Sequence, residues 1–421
     1  MEYKEALAYL DGARWFGAEP SLRRIRELLS KLGDPQKGLK AVHVAGTNGK
    51  GSCAAMLASV LRAAGYRTGL YTSPYLYRFT ERMQINGEQI GSDALVRCVE
   101  AVRGIAEKMD EHPTEFELIT AAALLWFAEE KCDIVVLEAG LGGRFDATNV
   151  IEVPECTVIM NIGLDHTHIL GDTTEKIAAE KAGIIKPGVP CVAYAQSESV
   201  LEVFRARCAE LSAQLHVADF SALRSEFDSL EGQVFSYRGR QYALSLLGAH
   251  QRRNAAVVIE TAERLREKGW RVDQDALEHG LYAAAWPGRF ELCCDEPAFI
   301  VDGGHNPQCA ETVCESLLHY FPDTRRVMLL GVLRDKDAAA MAAILDRAAD
   351  EYVCTAPESA RALPPDELAA VLRPFGKTIT VCESVSDAVF TAKERAGADG
   401  MVCAAGSIYL AGSVRYELGL Y

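Results

Sequence analysis

His43-Val44-Ala45-Gly46-Thr47-Asn48-Gly49-Lys50-Gly51-Ser52 completes the apolar run Leu39-Lys40-Ala41-Val42 and leads directly into a helical stretch. A strand, a glycine-rich turn and a helix in that order make a phosphate cradle. The glycines let backbone N–H groups turn inward, Lys50 supplies charge for β- and γ-phosphates, and Ser52 offers a hydroxyl to a magnesium ion at the helix N-terminus. The stretch departs from the usual G-x-x-x-x-G-K-[ST] pattern twice: Val44 stands where the first glycine would be, and Gly51 separates Lys50 from Ser52. The plainer alternative is a glycine-rich turn with no ligand.

Outward from this loop, the runs 39–45, 67–72, 133–139 and 156–162 have the length and β-branched content of strands. Amphipathic stretches separate them, which predicts a largely parallel sheet covered on both faces. Helices are expected over 116–130 and over 173–185, the latter capped by Thr173 or Thr174 and ended near Pro187-Gly188. Residues 232–247 read as a hairpin ahead of a helix over 251–268. A second alternation begins after Trp286-Pro287-Gly288-Arg289, with strands over 298–302, 326–332, 351–355, 378–382 and 400–405 and helices over 307–321, 335–349, 365–373 and 385–396. The fold class is therefore α/β: a P-loop NTPase-like domain with a mostly parallel sheet over 1–286, and a smaller Rossmann-like domain of about 130 residues over 287–421. Pro287-Gly288 reads either as a hinge between them or as an ordinary turn.

The 421 residues are 49% hydrophobic and 24% charged, an ordinary globular balance with room for two cores. A formal net charge of −15 argues against nucleic acid as the main partner, so an anionic ligand would be met by a local basic site. The 13 cysteines follow no CxxC or zinc-type spacing and read as free thiols of a reducing cytosol. The polar start Met1-Glu2-Tyr3-Lys4-Glu5 lacks the pattern of a signal peptide, and no stretch reaches the roughly 18 apolar residues of a membrane span. The expectation is a cytoplasmic protein with no membrane partner.

Ligands of a doubly wound sheet gather at the carboxyl ends of its strands. Four candidates stand there: Ser52 after the first strand, Ser73 after Gly69-Leu70-Tyr71-Thr72, Glu138 closing Ile134-Val135-Val136-Leu137, and His166 shortly after Asn161-Ile162. Ser52 and Glu138 suit a magnesium ion on a nucleotide. His166 reads as a second-ion ligand or an orienter, or Asp165-His166 simply caps the next turn. Three glycines in Gly140-Leu141-Gly142-Gly143 bring the chain close to a ligand, with Arg144 and Asp146 carrying both signs of charge, unless this is a flexible surface loop. Lys181 follows on the helix after the His166 loop. Desolvated near metal and phosphate it could lose its proton; otherwise it is a solvated helix lysine.

With these motifs in order, the chain resembles the folylpolyglutamate synthases and bifunctional dihydrofolate synthases of the Mur ligase superfamily. The resemblance runs nearly end to end: Phe16-Gly17 with Pro20-Ser21-Leu22, the loop at 43–52 including Gly51, Thr72-Ser73-Pro74 with Glu81-Arg82, Phe116-Glu117 with Thr120, 138–149, Leu164-Asp165-His166, Glu180-Lys181-Ala182-Gly183-Ile184, His250-Gln251 with Asn254-Ala255, Trp286-Pro287-Gly288-Arg289, Asp302-Gly303-Gly304-His305-Asn306-Pro307 and Gly406-Ser407-Ile408-Tyr409-Leu410. The one small departure is Gly304 where alanine is common.

The resemblance implies an ATP-dependent ligase that adds L-glutamate to a folate or to dihydropteroate. Gly46, Thr47, Asn48, Gly49, Lys50, Gly51 and Ser52 would hold ATP, joined by Asn254 and Arg289 and, from the second domain, by Asp302 and His305. Ser52 and Glu138 would hold one magnesium ion, and Ser73, Glu138 and His166 a second. A carbamylated Lys181 would stand beside the second ion, and a monovalent cation is a further cofactor that the resemblance allows. Lys50, His166, Lys181, Asp302 and His305 would serve catalysis. Arg82, Phe116, Asp146 and Ser407 would contact substrate, Asp146 at the position that bifunctional members use for the pterin. The implied enzyme works as a monomer. Three alternatives stay open: a folylpolyglutamate synthase without the dihydropteroate activity, a Mur ligase acting on a UDP-sugar, and a non-catalytic P-loop switch.

Overall fold

The computed structural model describes residues 1–13 and 20–421, so the Phe16-Gly17 motif lies outside the described residues. Strands β1 (Ala41–Ala45), β2 (Thr68–Tyr71), β3 (Met83–Ile85), β4 (Glu88–Gln89), β5 (Ile134–Glu138), β6 (Cys156–Ile159), β7 (Cys191–Ala193) and β8 (Leu215–Val217) form one sheet in the order β4-β3-β2-β5-β1-β6-β7-β8. From β2 to β8 every pairing is parallel, while β3 and β4 add an antiparallel edge. The central strands β1 and β5 are buried throughout, which is why they read as continuous apolar runs. On one face lies the helix Glu115–Glu129, started by a reciprocal cap in which the Glu117 amide donates to Thr114 Oγ1 and the Thr114 amide to Glu117 Oε2. On the other face the helices Lys50–Ala63 and Ala249–Glu267 close a second cluster around Val44, Met56, Val136 and Val257.

β6 stops at Ile159 instead of running to 162. The Asn161 carbonyl is taken by the amides of Thr47 and Asn48, so the chain leaves the sheet to support the loop after β1. The expected hairpin at 232–247 is one half of a three-stranded antiparallel meander of β9 (Leu223–Ser229), β10 (Gly232–Tyr237) and β11 (Arg240–Leu244). β9 escapes a sequence reading because it lies at the sheet edge, mostly exposed, and carries few apolar residues.

The second sheet is built from β12 (Glu291–Asp295), β13 (Ala298–Val301), β14 (Arg326–Leu330), β15 (Glu351–Cys354), β16 (Thr378–Val381) and β17 (Met401–Ala405) in the order β12-β13-β17-β14-β15-β16. All its pairings are parallel except that of β12, an edge strand absent from the sequence reading. The helix expected from 335 begins at Ala338, because Asp337 caps it through the Ala340 amide and leaves 331–337 as a loop at the end of β14. Among the described residues, the two hydrophobic clusters around this sheet draw on the rest of the chain only through Leu230, Leu247 and Leu76. No helix among the described residues is long and apolar enough to cross a membrane, and all 13 cysteines are free.

Candidate active site

The loop after β1 is held by the Thr47 and Asn48 amides on Asn161 and by Thr47 Oγ1 on the Gly163 carbonyl, 3.1 Å away. Gly49, at φ 83°, takes the left-handed conformation that starts the helix Lys50–Ala63. The interposed Gly51 has a steric reason: a Cβ there would lie 2.8 Å from Trp286 Nε1 and 2.9 Å from Cζ2, so its absence lets the helix rest against the indole. Ser52 Oγ accepts from Gln251 Nε2 at 3.2 Å, and Gln251 Oε1 accepts from Asn254 Nδ2 at 3.0 Å. The helix Ala249–Glu267 thereby braces the loop from behind.

Lys50 Nζ donates to the Thr47 carbonyl at 3.1 Å and stands 4.0 Å from Glu138 Oε1. Glu138 is 4% exposed, with its other oxygen accepting the Ser73 amide at 3.2 Å. Burial raises its carboxyl above the usual range, partly offset by Lys50. A carboxylate this buried, with one lysine at long range, has the chemistry of a cation ligand. Among the described residues no group of three or more His, Cys, Asp and Glu side chains gathers to hold a metal alone. That fits magnesium, which takes much of its octahedron from phosphate and water.

Lys181 is buried at the end of the helix Thr174–Lys181, contrary to the solvated alternative, and donates to the Gly46 carbonyl at 2.7 Å. Burial, then the charge of Lys50, lowers its ammonium to about 7. His166 sits at φ 49°, a left-handed conformation uncommon outside glycine. Burial first, with Lys336, His305 and Lys50 adding to it, lowers its imidazole to about 4 despite Asp165, so its nitrogen lone pair is free for a ligand near neutral pH.

Asp165 does not serve as a turn cap alone. One oxygen accepts both the His166 amide at 2.9 Å and Lys336 Nζ at 2.6 Å, while the other lies 3.3 Å from His305 Nε2. Burial would raise this carboxyl, yet His305 and Lys336 hold it far below the usual carboxylate range. Asp302 accepts the amides of Phe290 and Gly304 at 2.8 and 2.7 Å. Arg289 Nη1 donates to the Gly288 carbonyl at 2.9 Å. Asn48 turns its side chain to the second unit, within hydrogen-bond distance of Asn306, Gln308 and Cys309.

Lys50, Ser73, His166, Lys181, His305 and Ser407 all line one cavity of about 250 Å³ between the two sheets. Arg82, Phe116 and Asp146 do not. Arg82 is buried beside the rings of Tyr75 and Phe79. Phe116 packs on Gly140, where a Cβ would lie 2.5 Å from its ring. Asp146 is buried and organises the 140–149 loop, accepting the Leu141 amide at 2.8 Å and the Thr148 amide at 3.0 Å. That loop is a packed structure with Phe145 exposed, not a loose surface segment. A larger cleft of about 410 Å³ beside the helix Lys50–Ala63 is lined by Arg289 but by neither Lys50 nor Lys181, which line the smaller one, and Glu138 lines neither. Lys336 was missed from the sequence, although it stands six residues past the end of β14, where the strand-end rule would have directed attention.

Residues 44–262 match the Mur ligase middle domain and residues 288–408 the Mur ligase glutamate ligase domain. The Bacillus subtilis dihydrofolate synthase/folylpolyglutamate synthase is 37% identical over 433 residues, covering 99% of each chain. The Mycobacterium tuberculosis folylpolyglutamate synthase complexed with ADP superposes with a TM-score of 0.92 at 32% identity, over 99% of this chain and 98% of that one. The Escherichia coli FolC in complex with DHPP and ADP gives 0.88 at 30% identity, over 100% and 98%. With both domains matched and a relative 37% identical over nearly the whole chain, the chain belongs to the dihydrofolate synthase/folylpolyglutamate synthase family of Mur ligases.

Proposed function

We propose that this chain joins L-glutamate to folates, and also to dihydropteroate, in an ATP-dependent reaction through an acyl phosphate. The observation that carries the reading is the convergence of Lys50, Ser73, His166 and Lys181 from the first unit with His305 and Ser407 from the second on a single cavity. A carboxylate is a poor electrophile. Its oxygen attacks the γ-phosphorus of ATP, ADP leaves, and the amine of glutamate then displaces phosphate from the acyl carbon, losing a proton as the amide forms.

Lys50 and Arg289 offset charge on the phosphoryl oxygens, and the amides of 49–52, beyond those of Thr47 and Asn48 that Asn161 holds, orient the phosphates. Asn254 and Asp302 border the nucleotide, and Asp165 draws Lys336 and His305 over the cavity to limit hydrolysis of the acyl phosphate. Ser52 and Glu138, and Ser73, Glu138 and His166, are the residues that would hold two magnesium ions, whose chemistry is charge neutralisation on the transferring group. Lys181, with its ammonium lowered to about 7, is the site for carbamylation, which turns a cation into an anion beside them. Arg82, Phe116, Asp146 and Ser407 are assigned to substrate.

The division at 286/287 follows the independent sheets and clusters. The free cysteines favour the cytoplasm, and because both units that line the cavity belong to one chain, a working monomer is the simplest reading. Some relatives carry both activities in their names and others folylpolyglutamate synthase alone, and Asp146 favours both here. The test is ADP release by the purified enzyme with L-glutamate plus either dihydropteroate or a reduced folate. Release with both supports the reading, release with the folate alone restricts it, and release with neither overturns it.

A further inference from the structure

We propose that Asn48 is a positioning residue through which the second α/β unit sets the shape of the phosphate loop. Its side chain is used up by that unit: Nδ2 donates to Gln308 Oε1 at 2.6 Å, and Oδ1 accepts from Asn306 Nδ2 at 2.9 Å and from Cys309 Sγ at 3.2 Å. These partners occupy the first turn of the helix Pro307–Tyr320 and its cap, and Asn306 Oδ1 also holds the Cys309 amide at 2.9 Å. The clasp is therefore anchored to a rigid helix end. Its other side is closed by the segment 161–163. Asn161 accepts the amides of Thr47 and Asn48, and Gly163 leaves room for the Gln308 side chain, since a Cβ would lie 2.4 Å from its Oε1. Asn306, Gln308 and Cys309 on one side and the 161–163 segment on the other thus enclose Asn48, two places before Lys50, so displacement of the second unit pulls on the loop. The loop takes its working shape only when the second unit is seated, which ties phosphate binding to exclusion of water.

Gln308→Ala is the cleanest probe, because Asn306 also caps a helix. The expected result is an ADP affinity weakened about three- to tenfold, a turnover reduced about five- to tenfold, and more than one ADP released per amide formed as the acyl phosphate is lost to water. Asn48→Ala combined with Gln308→Ala should be no worse than Asn48→Ala alone. Unchanged turnover and stoichiometry in Gln308→Ala, or effects that multiply in the double variant, would overturn the proposal. The turnover arm rests on the ligase reading. Amide hydrogen exchange of peptide 46–52 without ligands does not: Gln308→Ala should speed it at least about fivefold, and equal exchange counts against the clasp even if the ligase reading fails.

Discussion

Lys181 Nζ donates to the carbonyl oxygen of Gly46 across 2.7 Å, tying the helix that follows the His166 loop to the first residue of the phosphate loop. The contact buries an amine among groups that disfavour its charge, and that lowers it to about 7. Only a neutral amine adds carbon dioxide. Label from isotopic bicarbonate should therefore enter the wild type increasingly as pH rises through about 7, and should not enter Lys181→Arg. A carbamate carbon signal absent from the wild type at pH about 8 would refute the assignment.

Lys50→Ala and Glu138→Ala should each lower turnover at least about a hundredfold while circular dichroism stays native. Lys50 lines the cavity, Glu138 stands 4.0 Å from its ammonium, and neither belongs to a hydrophobic cluster. Wild-type turnover in either variant would remove the phosphate and metal site from this position.

Asp165 links the two units through Lys336 and His305. Its carboxyl is held below its unfolded value, so the unfolded chain binds the extra proton and this stabilisation is complete above about pH 4, then fades as acid is added. The stability difference between wild type and Asp165→Asn, followed by urea denaturation, should be constant from about pH 5 to 8 and shrink below about pH 4. A gap that instead grew on acidification would mean that the pair is not charged in the folded protein.

Gly51→Ala places a methyl group within 3 Å of the Trp286 indole. Such overpacking costs about 1–3 kcal/mol, and here it pushes apart the helix after the phosphate loop and Trp286 at the end of the first unit. Lower thermal stability with weaker ADP binding is expected, partly restored by adding Trp286→Phe. No change in either measurement would show that the contact yields freely.

Much of the fold was legible because buried parallel strands are continuous apolar runs: β1, β5, β13 and β17 lie within about two residues of their expected bounds. What was lost had a physical cause. β9 and β12 are edge strands, the first mostly exposed and the second half-buried, and β3, β4, β7 and β8 are too short to show a period. Lys181 could not be read as buried from its own helix, since the groups that enclose it lie far off in sequence at Gly46 and Gly143. Lys336 and Gln308 act across the two sheets, and no local pattern encodes which residues meet there.

The second unit keeps its hydrophobic clusters almost wholly to itself, while its contacts around the phosphate loop are amide, carboxylate, imidazole and ammonium groups. Water can take over each of those partners when the units part. Were the units to part, the seam uncovered around the phosphate loop would be wettable, its apolar share confined to contacts such as Leu76, Leu247 and the Tyr77–Tyr416 stack, so separation should carry only a modest heat-capacity change.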